Sequence, residues 1–136
     1  MRIKIIACVD AQNGMGKDGI LPWPFFRDDM RRFKALTNNQ IVVMGRKTFD
    51  GLPDNARPLK DRFNVVVSQS KNDFGPGVLS FDDLGGVLSL QNYLDSDIWI
   101  IGGQQIYEQF IEMADEIYLT RLAKSYDCDT FFPKFD

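Results

Sequence analysis

Residues 98–110 read Ile-Trp-Ile-Ile-Gly-Gly-Gln-Gln-Ile-Tyr-Glu-Gln-Phe, and this stretch decides the fold. An apolar run typical of a buried strand ends at Gly102-Gly103, and an amphipathic helix follows at once. Such a turn directs backbone N–H groups and the positive end of the helix dipole toward one point, which suits a phosphate. A glycine turn that only lets strand and helix pack closely has the same sequence pattern. This segment alone therefore leaves both interpretations open.

The rest of the chain also alternates short apolar strands with helices. Continuous runs of Val and Ile indicate strands that are covered on both faces. We therefore predict an α/β protein, a single domain over residues 1–136, with a mostly parallel central sheet flanked by helices and a ligand site at the carboxyl ends of the strands. The predicted strands are 3–9, 41–44, 63–67, 78–81, 97–101 and 117–122, and the predicted helices are 25–36, a short one after Gly45, 84–94 and 104–113.

Composition restricts the chemistry that this chain can perform. Its 136 residues carry a net charge of -3, contain no histidine, and include Cys8 and Cys128 as the only cysteines. The charge argues against nucleic-acid binding, and two separated cysteines are typical of a reduced, cytoplasmic protein. Without histidine, proton transfer must use a carboxylate, a lysine, a tyrosine, a cysteine or water, and a metal site is not expected. No apolar run reaches the length that spans a membrane.

A carboxylate on the first predicted helix is a candidate for chemistry. Phe26, Met30 and Phe33 mark the apolar face of this helix, and Asp29 precedes Phe33 by about one turn. A carboxylate at the edge of an apolar pocket can accept paired hydrogen bonds from a planar nitrogen heterocycle. Asp28 lies off the apolar stripe, and acids in a first helical turn also suit the helix dipole without any further role.

Two more groups of polar residues are candidates for binding anions. A predicted strand ends at Gly45, and Arg46, Lys47 and Thr48 follow, a set of cations and a hydroxyl that can hold two phosphates. Arg62, just before another strand, can form a bidentate contact with a carboxylate. A solvated helix cap and a surface ion pair would have the same local sequences, so these alternatives stay open.

The same segments form a longer pattern when they are read in chain order. They are Ile-Ile-Ala-Cys-Val at 5–9, Gly16 with Leu-Pro-Trp at 21–23, Asp-Asp-Met-Arg-Arg-Phe-Lys at 28–34, Met-Gly-Arg-Lys-Thr-Phe at 44–49, Arg-Pro-Leu at 57–59 with Arg62 and Asn64, Ile-Gly-Gly-Gln-Gln-Ile-Tyr at 101–107, Ile-Tyr-Leu-Thr at 117–120, and Asp129-Thr130 with Phe132-Pro133. The pattern resembles the dihydrofolate reductase family over nearly the whole chain. The resemblance implies hydride transfer from NADPH to C6 of 7,8-dihydrofolate and protonation at N5, with antifolates as further ligands.

The resemblance also implies roles on the substrate side. Asp29 matches the family's active-site carboxylate, which binds the amino and N3 groups of the pterin and promotes protonation through water. Thr120 matches a hydroxyl in the hydrogen-bond network of that carboxylate. Trp23, in the family's mobile loop, completes the set of residues expected to be catalytic. The residues matched to substrate binding are Ile6, Phe33, Leu52, Leu59, Arg62, Ile101 and Tyr107; among these, Phe33 packs on the substrate and Arg62 receives its glutamate carboxylate.

On the cofactor side the resemblance implies a larger set. It comprises Ala7, Met15, Gly16, Gly45, Arg46, Lys47, Thr48, Ser68, Gln69, Gly102, Gly103, Gln104, Gln105 and Ile106. Ser68 and Gln69 lie where the family meets the adenosine 2'-phosphate, and Gly102 and Gly103 match a pair joined by a cis peptide. The glycine-bearing loop 10–23 resembles the lid that closes over the nicotinamide.

Three departures from the family pattern are apparent. The segment between Trp23 and Asp29 reads one residue longer than usual, so the choice of Asp29 rests on its helical phase to Phe33. Gln104 and Gln105 replace a third glycine and a basic residue. The sequence ends at Asp136, where family members continue into a C-terminal hairpin, so we expect an open sheet edge at 117–122. The tail 126–136 or a second subunit is expected to cover it, which predicts a monomer or an edge-strand homodimer.

Two other functions share this architecture. The pyrimidine reductase of riboflavin synthesis has the same fold, but Leu-Pro-Trp followed by Asp29, Phe33 and Arg62 favours a folate site. The second alternative is a non-catalytic ligand-binding or assembly protein whose open sheet edge serves as a docking surface.

Overall fold

Six parallel strands form the central sheet. The computed structural model describes residues 2–17, 27–69, 73–92 and 95–135. In chain order the strands are β1 (Ile3–Val9), β2 (Gly14–Gly16), β3 (Ile41–Gly45), β4 (Phe63–Val67), β5 (Val78–Phe81), β6 (Ile98–Gly102), β7 (Glu116–Arg121) and β8 (Thr130–Phe131), and the helices are α1 (Arg27–Thr37), α2 (Arg46–Asp50), α3 (Leu84–Leu88) and α4 (Gln104–Phe110). The order across the main sheet is β5-β4-β3-β6-β1-β7, and β2 pairs with β8 in a separate two-stranded sheet.

The predicted architecture is confirmed, with differences at the ends of elements. Every pairing within the six-stranded sheet is parallel. The helix predicted at 84–94 is shorter, since α3 ends at Leu88 and a 3-10 turn, Ser89–Asn92, continues it. Gly85 and Gly86 weaken this helix because glycine loses the most backbone freedom on folding. Residues 25 and 26 of the first predicted helix lie outside the described ranges.

The sheet is covered on both faces, as its Val and Ile runs predict. Successive side chains of a strand point to opposite faces. Along β1, Ile5 and Val9 join the core that includes Ile106 and Phe110 of α4, and Ile6 joins the core on the other face. That second core also contains Val42, Met44, Phe49, Val66 and Trp99, with Phe33 and Leu36 of α1 packed against it. Helices therefore lie on both sides of the sheet.

The tail does not pair with the edge strand β7. Instead, β8 pairs antiparallel with β2, through Gly14 with Phe131 and Gly16 with Thr130. Among the described strands, β7 pairs with β1 alone. The tail therefore does not cover the β7 edge by strand pairing, and the alternative of a second subunit stays a prediction. The anchor of the tail is at the carboxyl end of β1, where Asp10 accepts a hydrogen bond from the Tyr126 N–H at 2.9 Å.

Within the described ranges, no helix is both long enough and apolar enough to cross a membrane.

Candidate active site

A cleft of about 670 Å³ lies at the carboxyl ends of β3, β4 and β6. These ends are brought level by the sheet register, which sets Gly45 beside Val67 and Met44 beside Gly102. The cleft therefore occupies the edge of the sheet where parallel α/β proteins bind ligands. Its lining residues are Gly45, Arg46, Lys47, Thr48, Val67, Ser68, Gln69, Asp82, Asp83, Gly103, Gln104, Gln105, Ile106, Gln109, Asp129 and Thr130.

Most residues matched to the cofactor line this one cleft. They are Gly45, Arg46, Lys47, Thr48, Ser68, Gln69, Gly103, Gln104, Gln105 and Ile106. Gly102 ends β6 next to them. Ala7 is buried within β1, and Met15 and Gly16 belong to β2, outside the cleft lining. The structure thus brings together residues that are far apart in the sequence.

Two glycine turns face each other across the start of the cleft. The Gly102–Gly103 peptide is cis, as the resemblance implies, and Gly102 has a φ of 131°. A Cβ on Gly102 would lie 3.5 Å from Thr48 Oγ1, and one on Gly45 would lie 3.1 Å from Cγ1 of Ile106. Side chains at these positions would fill the space in front of the backbone. The glycines therefore leave the main chain open to close approach by a ligand.

The charges of the cleft are mixed. Arg46 and Lys47 at the start of α2 supply two cations, while Asp82, Asp83 and Asp129 supply carboxylates. None of these three acids is among the residues predicted from the sequence to bind a ligand. Asp82 and Asp83 directly follow β5, so they too lie at the carboxyl end of a strand, where ligands bind in parallel α/β proteins.

The residues matched to the apolar wall form one cluster on the other face of the sheet. Ile6 is a buried member of this cluster. Phe33, Leu52, Leu59 and Ile101 pack against it. The structure therefore places the predicted wall residues together, on the same side as α1.

Arg62 lies beside this cluster. Its guanidinium carbon is 5.6 Å from the centroid of the Phe33 ring, and its Nε donates to the Lys60 carbonyl at 2.9 Å. Burial lowers the pKa of Arg62, and the charge of Asp61 acts in the opposite direction. Among the described residues, Arg62 forms no ion pair within 4.0 Å, so the surface-pair alternative for this residue is not what the structure contains.

The buried amide of Asn64 holds the segment that carries Leu59 and Arg62. Its Oδ1 accepts from the Leu59 N–H at 2.9 Å. Its Nδ2 donates to the Leu59 carbonyl at 2.9 Å and to the Arg62 carbonyl at 3.0 Å. Asn64 belongs to the quoted motif but received no role in the sequence analysis, because only the folded loop shows which backbone groups it satisfies.

Tyr107 connects the cleft to the apolar cluster. Its hydroxyl donates to the Ile6 carbonyl at 2.8 Å, and a Cβ on Gly102 would lie 3.4 Å from the same oxygen. Burial raises the pKa of Tyr107 above its ordinary value, so the hydroxyl keeps its proton and stays a donor. Thr48 Oγ1 and the Tyr107 hydroxyl therefore both border the space in front of Gly102, and the Tyr107 hydroxyl is bonded to Ile6 at the apolar wall.

The predicted catalytic residues are described only in part. Asp29 lies on α1, but its side chain is outside what the structure describes, as is all of Trp23. Thr120 lies on β7 beside Cys8 of β1, and its hydroxyl accepts from Arg32 Nη1 of α1 at 2.9 Å. The link between Thr120 and the Asp29 carboxylate stays a prediction.

Comparison with known proteins identifies the family. The family model for dihydrofolate reductase matches residues 2–136. Dihydrofolate reductase of Drosophila melanogaster is 36% identical over 98% of this chain and 80% of its own length. That of Heliothis virescens is 35% identical over 100% and 81%, and the viral dihydrofolate reductase of Saimiriine herpesvirus 2 is 33% identical over 98% and 70%.

The parallel sheet, the glycine turns at its carboxyl edge and the whole-chain matches agree with one another. The chain belongs to the dihydrofolate reductase family, whose members are oxidoreductases that bind dihydrofolate and antifolates and use a nicotinamide cofactor.

Proposed function

We propose that this chain catalyses the reduction of 7,8-dihydrofolate to 5,6,7,8-tetrahydrofolate with NADPH, by hydride transfer to C6 and protonation at N5. The observation that carries the proposal is the position of Tyr107. Its hydroxyl borders the space in front of Gly102, as Thr48 Oγ1 does, and donates to the Ile6 carbonyl. Tyr107 thus lies between the polar cleft, which holds Arg46 and Lys47, and the apolar cluster that has Arg62 beside it. A hydride can pass only between groups held in contact, so the two ligands must meet where these regions adjoin.

The polar cleft fits a dinucleotide. Its glycine turns admit close approach of the backbone, and Arg46 and Lys47 offer charge to phosphates while Thr48 offers a hydroxyl. NADPH, when bound, supplies the hydride. Met15 and Gly16, on β2 next to the tail, and Ala7 in β1 are proposed to contact its nicotinamide end. Loop 10–23 is proposed to act as a lid that excludes water during hydride transfer.

The apolar cluster fits a flat heterocycle with an anionic tail. Phe33 and the walls formed by Ile6, Leu52, Leu59 and Ile101 would enclose the pterin, and Arg62 would receive the glutamate carboxylate. Asp29 on α1 is proposed to hold the pterin's amino and N3 groups and to promote protonation at N5 through water. This role suits a chain without histidine, in which a carboxylate is among the few remaining proton-transfer groups.

Two properties of the molecule remain proposals beside the reaction. Neither Cys8 nor Cys128 forms a disulfide, which supports a reduced, cytoplasmic setting. The edge of β7 leaves a monomer and an edge-strand homodimer as alternatives, because an unpaired strand edge is a template for association. Light scattering on a concentration series measures which of the two is present.

The first experiment follows NADPH oxidation by the purified chain with and without dihydrofolate. Oxidation that depends on dihydrofolate supports the proposal. A folded chain that binds NADPH but turns over no dihydrofolate refutes it and favours the non-catalytic alternative. Turnover of a ribosylaminopyrimidine in place of dihydrofolate favours the pyrimidine reductase.

A pair of variants tests the proposed acid. Asp29→Asn keeps the shape of the side chain and removes the charge, so we expect turnover at neutral pH to fall by several orders of magnitude. Asp28→Asn makes the same change one position earlier and should cost much less. Equal and mild losses in the two variants would refute the role of Asp29.

A further inference from the structure

The end of β5 brings a carboxylate to the cofactor cleft beside Ser68. Val67 of β4 pairs with Phe81 of β5, and the Ser68 N–H donates to the Phe81 carbonyl at 2.9 Å. Ser68 and Asp82 are therefore the next residues on two adjacent strands, whose backbones run about 5 Å apart. Both line the cleft, and Asp82 is exposed.

Asp82 differs from its neighbour in what its carboxylate does. Asp83 caps α3, because its Oδ1 accepts from the Gly86 N–H at 3.0 Å. Asp82 takes part in no ion pair within the described ranges. The Asp83 carboxylate therefore stabilises the start of α3, whereas the exposed carboxylate of Asp82 can act on a ligand in the cleft.

The charged residues of the cleft act in opposite directions on an additional phosphate. Two cations, Arg46 and Lys47, face three carboxylates, Asp82, Asp83 and Asp129. A phosphate monoester carries a charge of about -1.5 to -2 at neutral pH, and it repels a nearby carboxylate. A ribose hydroxyl at the same place is a donor, and an acidic side chain near the end of a strand commonly accepts from it in proteins that bind the unphosphorylated dinucleotide.

We propose that Asp82 is a specificity-determining residue that disfavours the 2'-phosphate of the cofactor and so lowers the preference for NADPH over NADH. This inference rests on the proposed function, since it takes the cleft as the cofactor site and Ser68 as its ribose end. Arg46 and Lys47 attract the 2'-phosphate, and the repulsion from Asp82 offsets part of that attraction.

The size of the effect follows from Coulomb's law. A carboxylate and a doubly charged phosphate about 7 Å apart in water repel by an amount equivalent to about sevenfold in affinity. Screening at about 0.1 M salt reduces this to about threefold. Removing the charge of Asp82 should therefore improve binding of the phosphorylated cofactor by about three- to sevenfold and leave the unphosphorylated one nearly unchanged.

Calorimetry with nucleotide fragments tests this without turnover. Adenosine 2',5'-bisphosphate and adenosine 5'-monophosphate are titrated into the wild type, Asp82→Asn and Asp95→Asn. Asp95 carries the same charge but lies before β6, at the opposite edge of the sheet, so it is the matched control. We expect the bisphosphate alone to bind about three- to sevenfold more tightly to Asp82→Asn, with a smaller gain at high salt.

Steady-state kinetics provides the second readout. The ratio of kcat/KM for NADPH to that for NADH should rise in Asp82→Asn by the same factor and stay constant in Asp95→Asn. A chain that turns over dihydrofolate with an unchanged ratio and unchanged bisphosphate binding overturns the role of Asp82 alone. A wild type that binds neither nucleotide and has no turnover overturns the proposed function as well, so the two failures are distinguishable.

Discussion

Replacement of Asp10 by asparagine should destabilise the protein strongly. Asp10 is 1% exposed at the carboxyl end of β1, and its carboxylate joins the turn after β1 to the tail. Oδ1 accepts from the N–H groups of Gln12 at 2.8 Å and Gly14 at 2.7 Å. Oδ2 accepts from the Tyr126 N–H at 2.9 Å and from the Cys128 thiol at 3.6 Å. All its close partners are donors.

The magnitude follows from that count of donors. An asparagine side chain keeps one acceptor oxygen and presents an NH2 group in place of the other, so in either orientation two donors lose their acceptor. A buried donor without a partner costs about 1–3 kcal/mol, and the bonds that remain lose the strengthening given by the charge. Since water can reach the partly buried Tyr126 side, we expect a loss of about 2–4 kcal/mol in the free energy of unfolding.

The pH dependence has a definite sign. Burial opposes the charged form of Asp10, but the N–H groups of Tyr126, Gly14 and Gln12, with the Cys128 thiol, outweigh it and hold the pKa of Asp10 below its ordinary value. A lowered pKa contributes stability that is present above the unfolded-state pKa, near 4, and is lost as the pH falls through the folded-state pKa. The gap between wild type and Asp10→Asn should therefore narrow in acid.

Urea unfolding followed by far-UV circular dichroism measures both effects. Asp127→Asn, on the same tail, is the matched control, because the Asp127 side chain is 88% exposed and its ion pair with Lys17 is 3.8 Å long. We expect this control to lose less than about 0.5 kcal/mol. If Asp10→Asn is within about 1 kcal/mol of wild type at neutral pH, or matches the control, the argument from its donors is refuted.

The remaining predictions concern the two ligand regions. Gly45→Ala fits the backbone, since the φ of Gly45 is -78°, but the new Cβ would lie 3.1 Å from Ile106. We therefore expect KM for NADPH to rise several-fold and the free energy of unfolding to fall by about 1 kcal/mol. An unchanged KM in a cofactor titration would contradict this. Arg62→Met keeps an apolar contact with Phe33 and removes the charge. KM for dihydrofolate should therefore rise by about ten- to a hundredfold, while KM for NADPH stays constant. Steady-state kinetics with equal changes in both KM values would exclude the proposed contact between Arg62 and the substrate carboxylate.

The main sheet could be predicted from the sequence because most of its strands are short apolar runs rich in Val and Ile. Strands such as β1, β4 and β5 have the predicted bounds. β2 and β8 could not be predicted, because Gly-Met-Gly has no periodic apolar pattern and its partner lies far along the chain. The Thr130 hydroxyl, which donates to the Gly16 carbonyl, is 114 residues away in the sequence. Local patterns do not encode such a pairing.

The candidate site divides in the same way. Residues at strand ends, such as Arg46 and Gln104, could be placed in the cleft because a parallel sheet brings all its carboxyl ends to one edge. The roles of Asn64 and Asp10 could not, since each depends on which backbone groups a folded loop or tail presents to it. Asp82 follows β5 and so lies at the same edge of the sheet.

β1 precedes both of its neighbours in the sheet, β6 and β7, by a long stretch of chain. Arg2 bonds to Asp97 across 95 positions and Ile3 to Asp115 across 112. Pairings of such long range are slow to form, whereas β3, β4 and β5 follow one another and can associate sooner. During synthesis we expect the apolar β1 to stay exposed until β6 and β7 leave the ribosome, because the sheet cannot be completed before then. A chaperone that binds extended apolar segments would bind β1 during this interval.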